Sequence, residues 1–330
     1  MPFVDNIKNI IRKQLNSFRK ATDISSNGAC LVLLYHRVTD YETDPQLLCV
    51  TPQNFDKQIN YLRSNYNLLT VEEFYSIISS KKKFPRKSVL LTFDDGYVDN
   101  LTYALPILEK HSAQALFYIC PGNFETDNEF WWDEVERHIL LSPDFPKNFN
   151  LKIEEKSFSS SNEKSERLKL YQELLPVLRS MEFKIRDEII SSIAEMTGNT
   201  LPRKSHRSMT WPELITMSLS PSVVIGAHTV HHPSLAACSA DIQQKEINVS
   251  KLIIEEKLNK KVDHFSYPFG TKSDYDDITQ NFVKECGFKM ATANFPYIAN
   301  RKSDLFAIPR FLVRDWELPV FIHELNSFVK

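Results

Sequence analysis

Glycine is scarce in this chain of 330 residues, with seven in all, so each one marks a place where the backbone leaves little choice. Three of them, Gly96, Gly226 and Gly270, fall inside the motifs described below. Long apolar runs are missing as well. The longest, from Ala29 to Tyr35, is about a third of the roughly 20 residues a bilayer-spanning helix needs, which excludes a transmembrane helix. Cysteines are few, odd in number and far apart: Cys30, Cys49, Cys120, Cys238 and Cys286 form no C-x-x-C pair. That pattern fits neither a disulfide framework nor a structural zinc knuckle and points to a reducing compartment. An excess of charge of one sign is lacking too, since 40 basic and 42 acidic side chains leave a net charge of −2. A nucleic-acid partner held by a basic surface is therefore not expected. What is present, 42% hydrophobic and 25% charged residues, belongs to a globular chain of one large domain or two ordinary ones.

The first twenty residues show no continuous apolar h-region and no small-residue cleavage site, so secretory export is not expected and the cytoplasm is the assigned location. Instead Phe3, Val4, Ile7, Ile10, Ile11, Leu15 and Phe18 recur at helical spacing, with Lys8, Arg12, Lys13, Arg19 and Lys20 between them. This predicts a basic amphipathic helix, docked on the body of the protein or serving as a peripheral membrane or partner contact through residues 1–20. A polar linker to residue 28 separates it from a domain over 29–330.

In that domain short apolar runs rich in β-formers alternate with amphipathic stretches, the pattern of strand-helix units around a parallel sheet or barrel. Strands are predicted at Leu31–Tyr35, Ser88–Phe93, Ala115–Cys120, Val223–Ala227, His264–Tyr267, Phe288–Thr292 and Phe306–Val313. Helices are predicted at Pro52–Asn65, Val71–Ser80, Val98–His111, Asp241–Leu258, Tyr275–Cys286 and Pro319–Val329. Seven strand-like runs fit an α/β barrel-like domain. The alternation stops between about 124 and 208. There a polar stretch, Lys152–Ser165, leads into helical segments at Leu168–Leu178 and Phe183–Met196, which reads as a mostly helical insertion capping the barrel.

Chemistry concentrates at strand ends. Val89-Leu90-Leu91 runs into Thr92-Phe93-Asp94-Asp95-Gly96, placing two adjacent carboxylates at the C-terminal end of a buried strand, where parallel α/β folds form their sites. Such a pair either shares a cation or repels, although an Asp-Asp-Gly also serves as a plain turn and helix cap. A second strand-like run, Val223-Val224-Ile225, is followed by Gly226-Ala227-His228-Thr229-Val230-His231-His232-Pro233. His228 and His232 are spaced i, i+4, so one turn of helix would project both imidazoles to one side, with His231 turned elsewhere. Two histidines and a carboxylate with open positions is the ligand set of a catalytic zinc site. A third run, His264-Phe265-Ser266-Tyr267-Pro268-Phe269-Gly270, stops at a proline, turns at a glycine and can offer backbone N–H groups to a ligand.

Together these residues resemble the polysaccharide deacetylases, the metal-dependent family that shares the NodB homology domain (carbohydrate esterase family 4-like). The resemblance runs from about Leu31 to Val313 and skips the insertion. It implies a distorted (β/α) barrel with Asp94 as general base and Asp95 as metal ligand. The family's His-Ser/Thr-x-x-His motif, matched by His228-Thr229-Val230-His231-His232, implies His228 and His232 as the other ligands. Leu34-Tyr35-His36-Arg37 is similar to the Tyr-His that opens many members and implies His36 near the site. Two departures stand out. Where many members carry an arginine that holds the catalytic aspartate, this chain has Ser266, and Arg310 in Ile308-Pro309-Arg310 is the candidate substitute. The family's late Leu-x-x-His is degraded, since His323 has Val320 three residues before it. The proton donor is then His36, His231 or His323, unless Asp94 or metal-bound water handles both transfers.

The implied reaction is removal of an N-acetyl group from an amino sugar in a glycan, glycolipid or sugar precursor, by metal-bound water with Asp94 as base. The cofactor is a divalent ion, zinc first, with cobalt, nickel or iron as alternatives. Phe269 through its backbone N–H, with Tyr267, is assigned to the oxyanion and substrate. Trp131 and Trp132, at the opening of the insertion, are candidates for a sugar-binding wall, as are Trp211 and Trp316. A nucleotide- or lipid-linked sugar precursor suits a chain without a secretion signal. Two other readings use the same residues: deformylation or amide cleavage on another small N-acyl molecule, and a non-catalytic metal-containing glycan-binding domain.

Overall fold

A computed structural model describes residues 28–41, 43–198 and 200–327, and the amphipathic helix expected at 1–20 lies outside the described residues. Six strands lie side by side and parallel, in the spatial order Met290–Thr292, His264–Ser266, Val223–Ala227, Ala115–Ile119, Ser88–Phe93 and Ala29–Tyr35. Every residue of the runs ACLVLLY and SVLLTF is buried, as strands covered on both faces require. The sheet curls. Phe311–Leu312 pairs in parallel with Ala29–Tyr35, and Ile308 forms a parallel bridge to Thr292, so one short segment touches both edges. The result is the distorted α/β barrel of the sequence reading. The strand expected over Phe306–Val313 is cut to Phe311–Leu312, because Pro309 has no N–H to give to a ladder.

The two-residue period of the strands sorts their side chains. Leu31, Leu33, Tyr35, Val89, Leu91, Phe93, Phe117 and Ile119 face outward onto Phe55, Ile59 and Leu62 of the Pro52–Asn65 helix and onto Leu108, Ile247 and Ile254. Cys30, Val32, Leu90, Leu116, Tyr118 and Met290 face inward, where Val71, Phe74, Ile78 and Phe84 close one end of the barrel. Asp94 continues the inward row of Leu90 and Thr92, and His228 continues that of Val224 and Gly226. The strand phase itself therefore aims one carboxylate and one imidazole into the open end. No described helix is long and apolar enough to cross a membrane, and all five cysteines are free thiols.

Residues 124–208 build a second core of their own. Trp131, Trp132, Val135, Ile139, Phe149, Leu170, Leu174, Ile190 and Ile193 pack together and meet the barrel at Tyr97, Cys120 and Phe269. Helices Trp131–Glu136, Lys164–Arg179 and Phe183–Met196 carry most of this cluster. The stretch from Lys152 is not a plain polar connection: Phe149–Ile153 and Lys156–Ser160 form an antiparallel hairpin. Its inward face is as sparse as Phe149, Ile153 and Phe158 among charges and serines, too few apolar positions to read as alternation.

Candidate active site

At the end of the Ser88–Phe93 strand the backbone turns sharply. Asp94 N–H still donates to the Tyr35 carbonyl at 3.1 Å, and then Asp95 and Gly96 take left-handed φ values of 78° and 89°. A left-handed aspartate is tolerated where a glycine would be routine. Here it separates the two carboxylates, so that Asp94 meets Arg310 while Asp95 meets the histidines.

The histidine segment is a loop, which corrects the expected helical turn. After Val223–Ala227, Thr229 and His232 both adopt positive φ, 63° and 53°. These two residues, rather than helical pitch, bring His228 and His232 together, with ring centroids 4.8 Å apart at 73°. The loop is held from three sides. Glu246, on the Ala240–Leu258 helix, accepts from Val230 N–H at 2.9 Å and His231 N–H at 2.8 Å. Thr229 Oγ1 accepts from His232 N–H at 3.1 Å. The Val230 carbonyl receives Gly122 N–H at 2.9 Å and the Cys120 thiol at 3.0 Å. Sequence reading missed Glu246 and Gly122. The usable signal for Glu246 was a charged residue inside the buried stripe of its helix, beside Ile247, Ser250 and Ile254; Gly122 carried none.

A Cβ built on Gly122 would lie 2.3 Å from the Val230 carbonyl oxygen and 3.2 Å from His231 Cδ2. Backbone oxygen cannot step aside as a flexible side chain does. Gly122→Ala is expected to lower unfolding stability by about 1–3 kcal/mol, as overpacking does, and to weaken divalent-ion affinity by displacing the His228–His232 loop. Urea unfolding with and without added zinc checks both; an unchanged pair of values would show that the contact is not tight.

Asp95 Oδ1 stands 3.6 Å from His228 Nε2 and 3.5 Å from His232 Nε2. All three ligand atoms lie within 4.8 Å of one another, and all three residues are buried. Ligand atoms about 2.1 Å from a tetrahedral ion are roughly 3.4 Å apart, so the set fits a divalent ion. His228 Nδ1 lies 2.7 Å from the Ser266 carbonyl; it donates there, which leaves the Nε2 lone pair facing Asp95, the usual outer bond of a ligating histidine. Among the described residues the buried Asp95 Oδ1 has no hydrogen-bond partner, an orphan acceptor of the kind a cation satisfies.

The electrostatics agree with that geometry. Burial pushes the Asp95 pKa well above the carboxylate range, and the neighbouring Asp94 and Asp133 charges push it further. Burial depresses His228 and, more strongly, His232, so both imidazoles are neutral, as ligands must be. For Asp94 burial alone would raise the pKa, but the Arg310 guanidinium and then His228 outweigh it, and the carboxyl ends below its ordinary value. Arg310 grips Asp94 with two parallel bonds of 2.7 Å, and its Nη2 also reaches Ser266 Oγ at 2.8 Å. The small serine leaves the room this guanidinium fills. Asp94 Oδ2 is 3.7 Å from His228 Nε2.

These residues floor a cavity of about 250 Å³ whose walls include His36, Gln46, Trp132, Arg179, Phe269, Asn294 and Arg314. Trp132 sets its ring edge-on to His232 at 4.7 Å and donates its indole N–H to Tyr97 Oη at 2.8 Å. Phe269, with φ of 58°, lies 4.7 Å from the same imidazole. His36 is present with its pKa pulled down to about 3, chiefly by burial, and its Nδ1 has no hydrogen-bond partner among the described residues.

Other expected residues are elsewhere. Tyr267 is in the core, its hydroxyl bonded to the Phe306 carbonyl at 2.9 Å and its ring stacked on Tyr275. The strand phase explains this, since Ser266 faces in and its neighbours Phe265 and Tyr267 face out. Trp131 lines a separate cavity with Arg186 and His231. His231 is turned from the site, bonded to Glu246 at 2.6 Å and stacked on Phe183. His323 is exposed on the Leu318–Ser327 helix. Trp211 packs on Phe124 and Trp316 on Phe311. Of the three candidate histidines only His36 lines the cavity.

The family model described as polysaccharide deacetylase matches residues 81–139 and 166–291. The putative polysaccharide deacetylase YxkH of Bacillus subtilis is 21% identical over 283 residues, covering 86% of this chain and 70% of that protein. The poly-beta-1,6-N-acetyl-D-glucosamine N-deacetylase of Staphylococcus epidermidis is 32% identical over 135 residues, 36% of this chain and 45% of that protein. Among solved structures, IcaB from Ammonifex degensii superposes with a TM-score of 0.61 at 18% identity, covering 94% of this chain and all of that one (100%). The Streptococcus pyogenes deacetylase PplD, solved in complex with acetate, gives 0.59 at 20% identity, covering 91% and 98%. At these identities the structural likeness is one of fold.

Proposed function

The chain belongs to the polysaccharide deacetylase family, hydrolases acting on the amide bond of acetylated sugars, and from that premise we propose that it removes the acetyl group from an N-acetylated amino sugar in the cavity floored by Asp94, Asp95, His228 and His232. The observation that carries the reading is the convergence of three buried ligand atoms within 4.8 Å beside a carboxylate clamped by Arg310.

In this reading Asp95, His228 and His232 hold a divalent ion, with zinc the first choice for two imidazoles and one carboxylate. Bound there, the ion supplies Lewis acidity that polarises the acetyl carbonyl and makes water a far stronger acid. Asp94 takes the proton of the attacking water. Arg310 keeps that carboxylate ionised and fixed in direction, so its free lone pairs point at the cavity rather than wandering among rotamers. The Phe269 N–H, in a loop that lines the cavity, is the donor assigned to the developing oxyanion. Trp132 offers an apolar edge for the sugar ring and helps exclude water. Proton return to the leaving amine falls to Asp94 itself, with His36 as the neighbouring imidazole.

The substrate named for the matched N-deacetylases, poly-β-1,6-N-acetylglucosamine, is the first to try, beside chitooligosaccharides, nucleotide-linked N-acetyl sugars and short peptidoglycan fragments. Acetate release is expected on at least one of them, lost on dialysis against a chelator and restored by zinc or cobalt. Formate release from N-formyl analogues with no acetate release from the N-acetyl sugars, or full activity in the chelated protein, would overturn the assignment.

A further inference from the structure

We infer that the catalytic cavity contains an anion subsite: Arg314 recognises a phosphate or carboxylate carried by the substrate beside its acetamido group. The inference rests on the deacetylase reading and deepens it, by naming a substituent the sugar must bear.

Arg314 lines the same cavity as Asp94, Asp95, His228 and His232. Its Nη1 donates to the carbonyl of Gln46 at 3.0 Å and to that of Leu47, a turn in which Leu47 adopts a left-handed φ of 57°. Among the described residues Nε and Nη2 have no acceptor. Among the described residues the acids close to it are hydrogen-bonded to other groups. Asp44 receives Leu48 N–H and Cys49 N–H, both at 2.9 Å. Asp315 receives the N–H and hydroxyl of Thr51 and the amide of Asn54. Among the described residues no carboxylate pairs with Arg314, whereas Arg37, Arg186, Arg203 and Arg310 each have one. Arg167 also lacks a carboxylate, but its Nε, Nη1 and Nη2 go to the Ile139 carbonyl, Asn162 Oδ1 and the Ser142 carbonyl. Arg314 alone among these leaves two of its three guanidinium nitrogens without a described acceptor, and it lines the cavity.

Arg314 is half-buried; Asp44 attracts it without forming an ion pair, yet burial pulls its pKa down to about 10, still charged at neutral pH. Charge accounting around the cavity points the same way. Asp94 cancels Arg310, and Asp274 cancels Arg179, which the insertion helix Lys164–Arg179 brings to the cavity wall and stacks over Phe269 at 4.1 Å. A divalent ion on Asp95 leaves one positive charge, and Arg314 adds another that Asp44 offsets only from beyond ion-pair distance. A neutral N-acetyl sugar would leave that excess unmatched; a sugar joined through phosphate, or flanked by a uronate, would match it with two charge-assisted bonds.

The test measures binding and turnover in parallel on the full-length, zinc-loaded protein. Calorimetry compares N-acetylglucosamine 1-phosphate, an N-acetylglucosamine–glucuronate disaccharide, methyl N-acetylglucosaminide and sodium acetate, while acetate release is followed on the three sugars. At least one anionic sugar is expected to bind about tenfold tighter or more than the methyl glycoside. The preference should vanish in Arg314→Gln and survive in part in Arg314→Lys, whose single point charge keeps attraction without the fork. The tighter of the two anionic sugars identifies phosphate or uronate. Equal affinities for neutral and anionic sugars, a preference untouched by Arg314→Gln, or acetate alone binding as tightly as the sugar phosphate would overturn the inference. Preference without acetate release would sink the deacetylase reading and leave the subsite standing; acetate release without preference would do the reverse.

Discussion

Asp94→Asn should cut kcat by about 10²–10⁴, the range for removal of a general base, while the protein still takes up its divalent ion. The argument is geometric. Asp94 is the carboxylate that Arg310 holds by both oxygens, whereas Asp95, its neighbour, faces the imidazoles. An amide in place of the Asp94 carboxylate keeps the shape and loses the basic lone pair, so the ion site persists and proton abstraction does not. Steady-state acetate release alongside zinc stoichiometry separates the two. Turnover within a few-fold of the wild type would mean that the base is another group.

The second large effect is expected at Arg310→Met. The guanidinium is almost fully buried, as is its partner, and removing one member of a buried pair leaves the other charge uncompensated, a loss of about 3–5 kcal/mol. Activity should fall by about a hundredfold as well, because the catalytic carboxylate loses the clamp that directs it. The double variant Asp94→Asn with Arg310→Met provides the control: with the lone carboxylate gone, its stability should recover to well above the sum of the single losses. Additive losses in urea unfolding would show that the two side chains are not coupled, and the role given to Arg310 would fall with that result.

Much of this site was legible in the chain because its parts are local. Asp94 and Asp95 end an unbroken apolar run, and His228 and His232 end another, so the strand-end rule placed both clusters at one rim of the barrel without any knowledge of how the strands order. Ser266 was informative as a departure, since a missing arginine asks where another comes from, and Arg310 lies beside it. The failures are of three kinds. The i, i+4 spacing suggested a helical turn, whereas two left-handed residues, Thr229 and His232, do the bending; positive φ at non-glycine residues leaves no mark in composition. Tyr267 was given to the site although the alternation that puts Ser266 inside puts Tyr267 outside, a distinction the sequence did contain. Gly122, Glu246, Arg179 and Arg314 act through partners far along the chain, and nothing in their surroundings names those partners. The hairpin over Phe149–Ser160 was hidden for a related reason: its few apolar residues are recruited by the insertion's own core, a tertiary demand rather than a local pattern.

The central claim is that Asp95, His228 and His232 jointly bind one divalent ion. Elemental analysis after zinc loading and desalting tests it most directly. About one ion per chain is expected in the wild type and in Asp94→Asn, and close to none in Asp95→Ala, His228→Ala or His232→Ala; a wild type that retains no ion, or ligand variants that retain as much as the wild type, would contradict it.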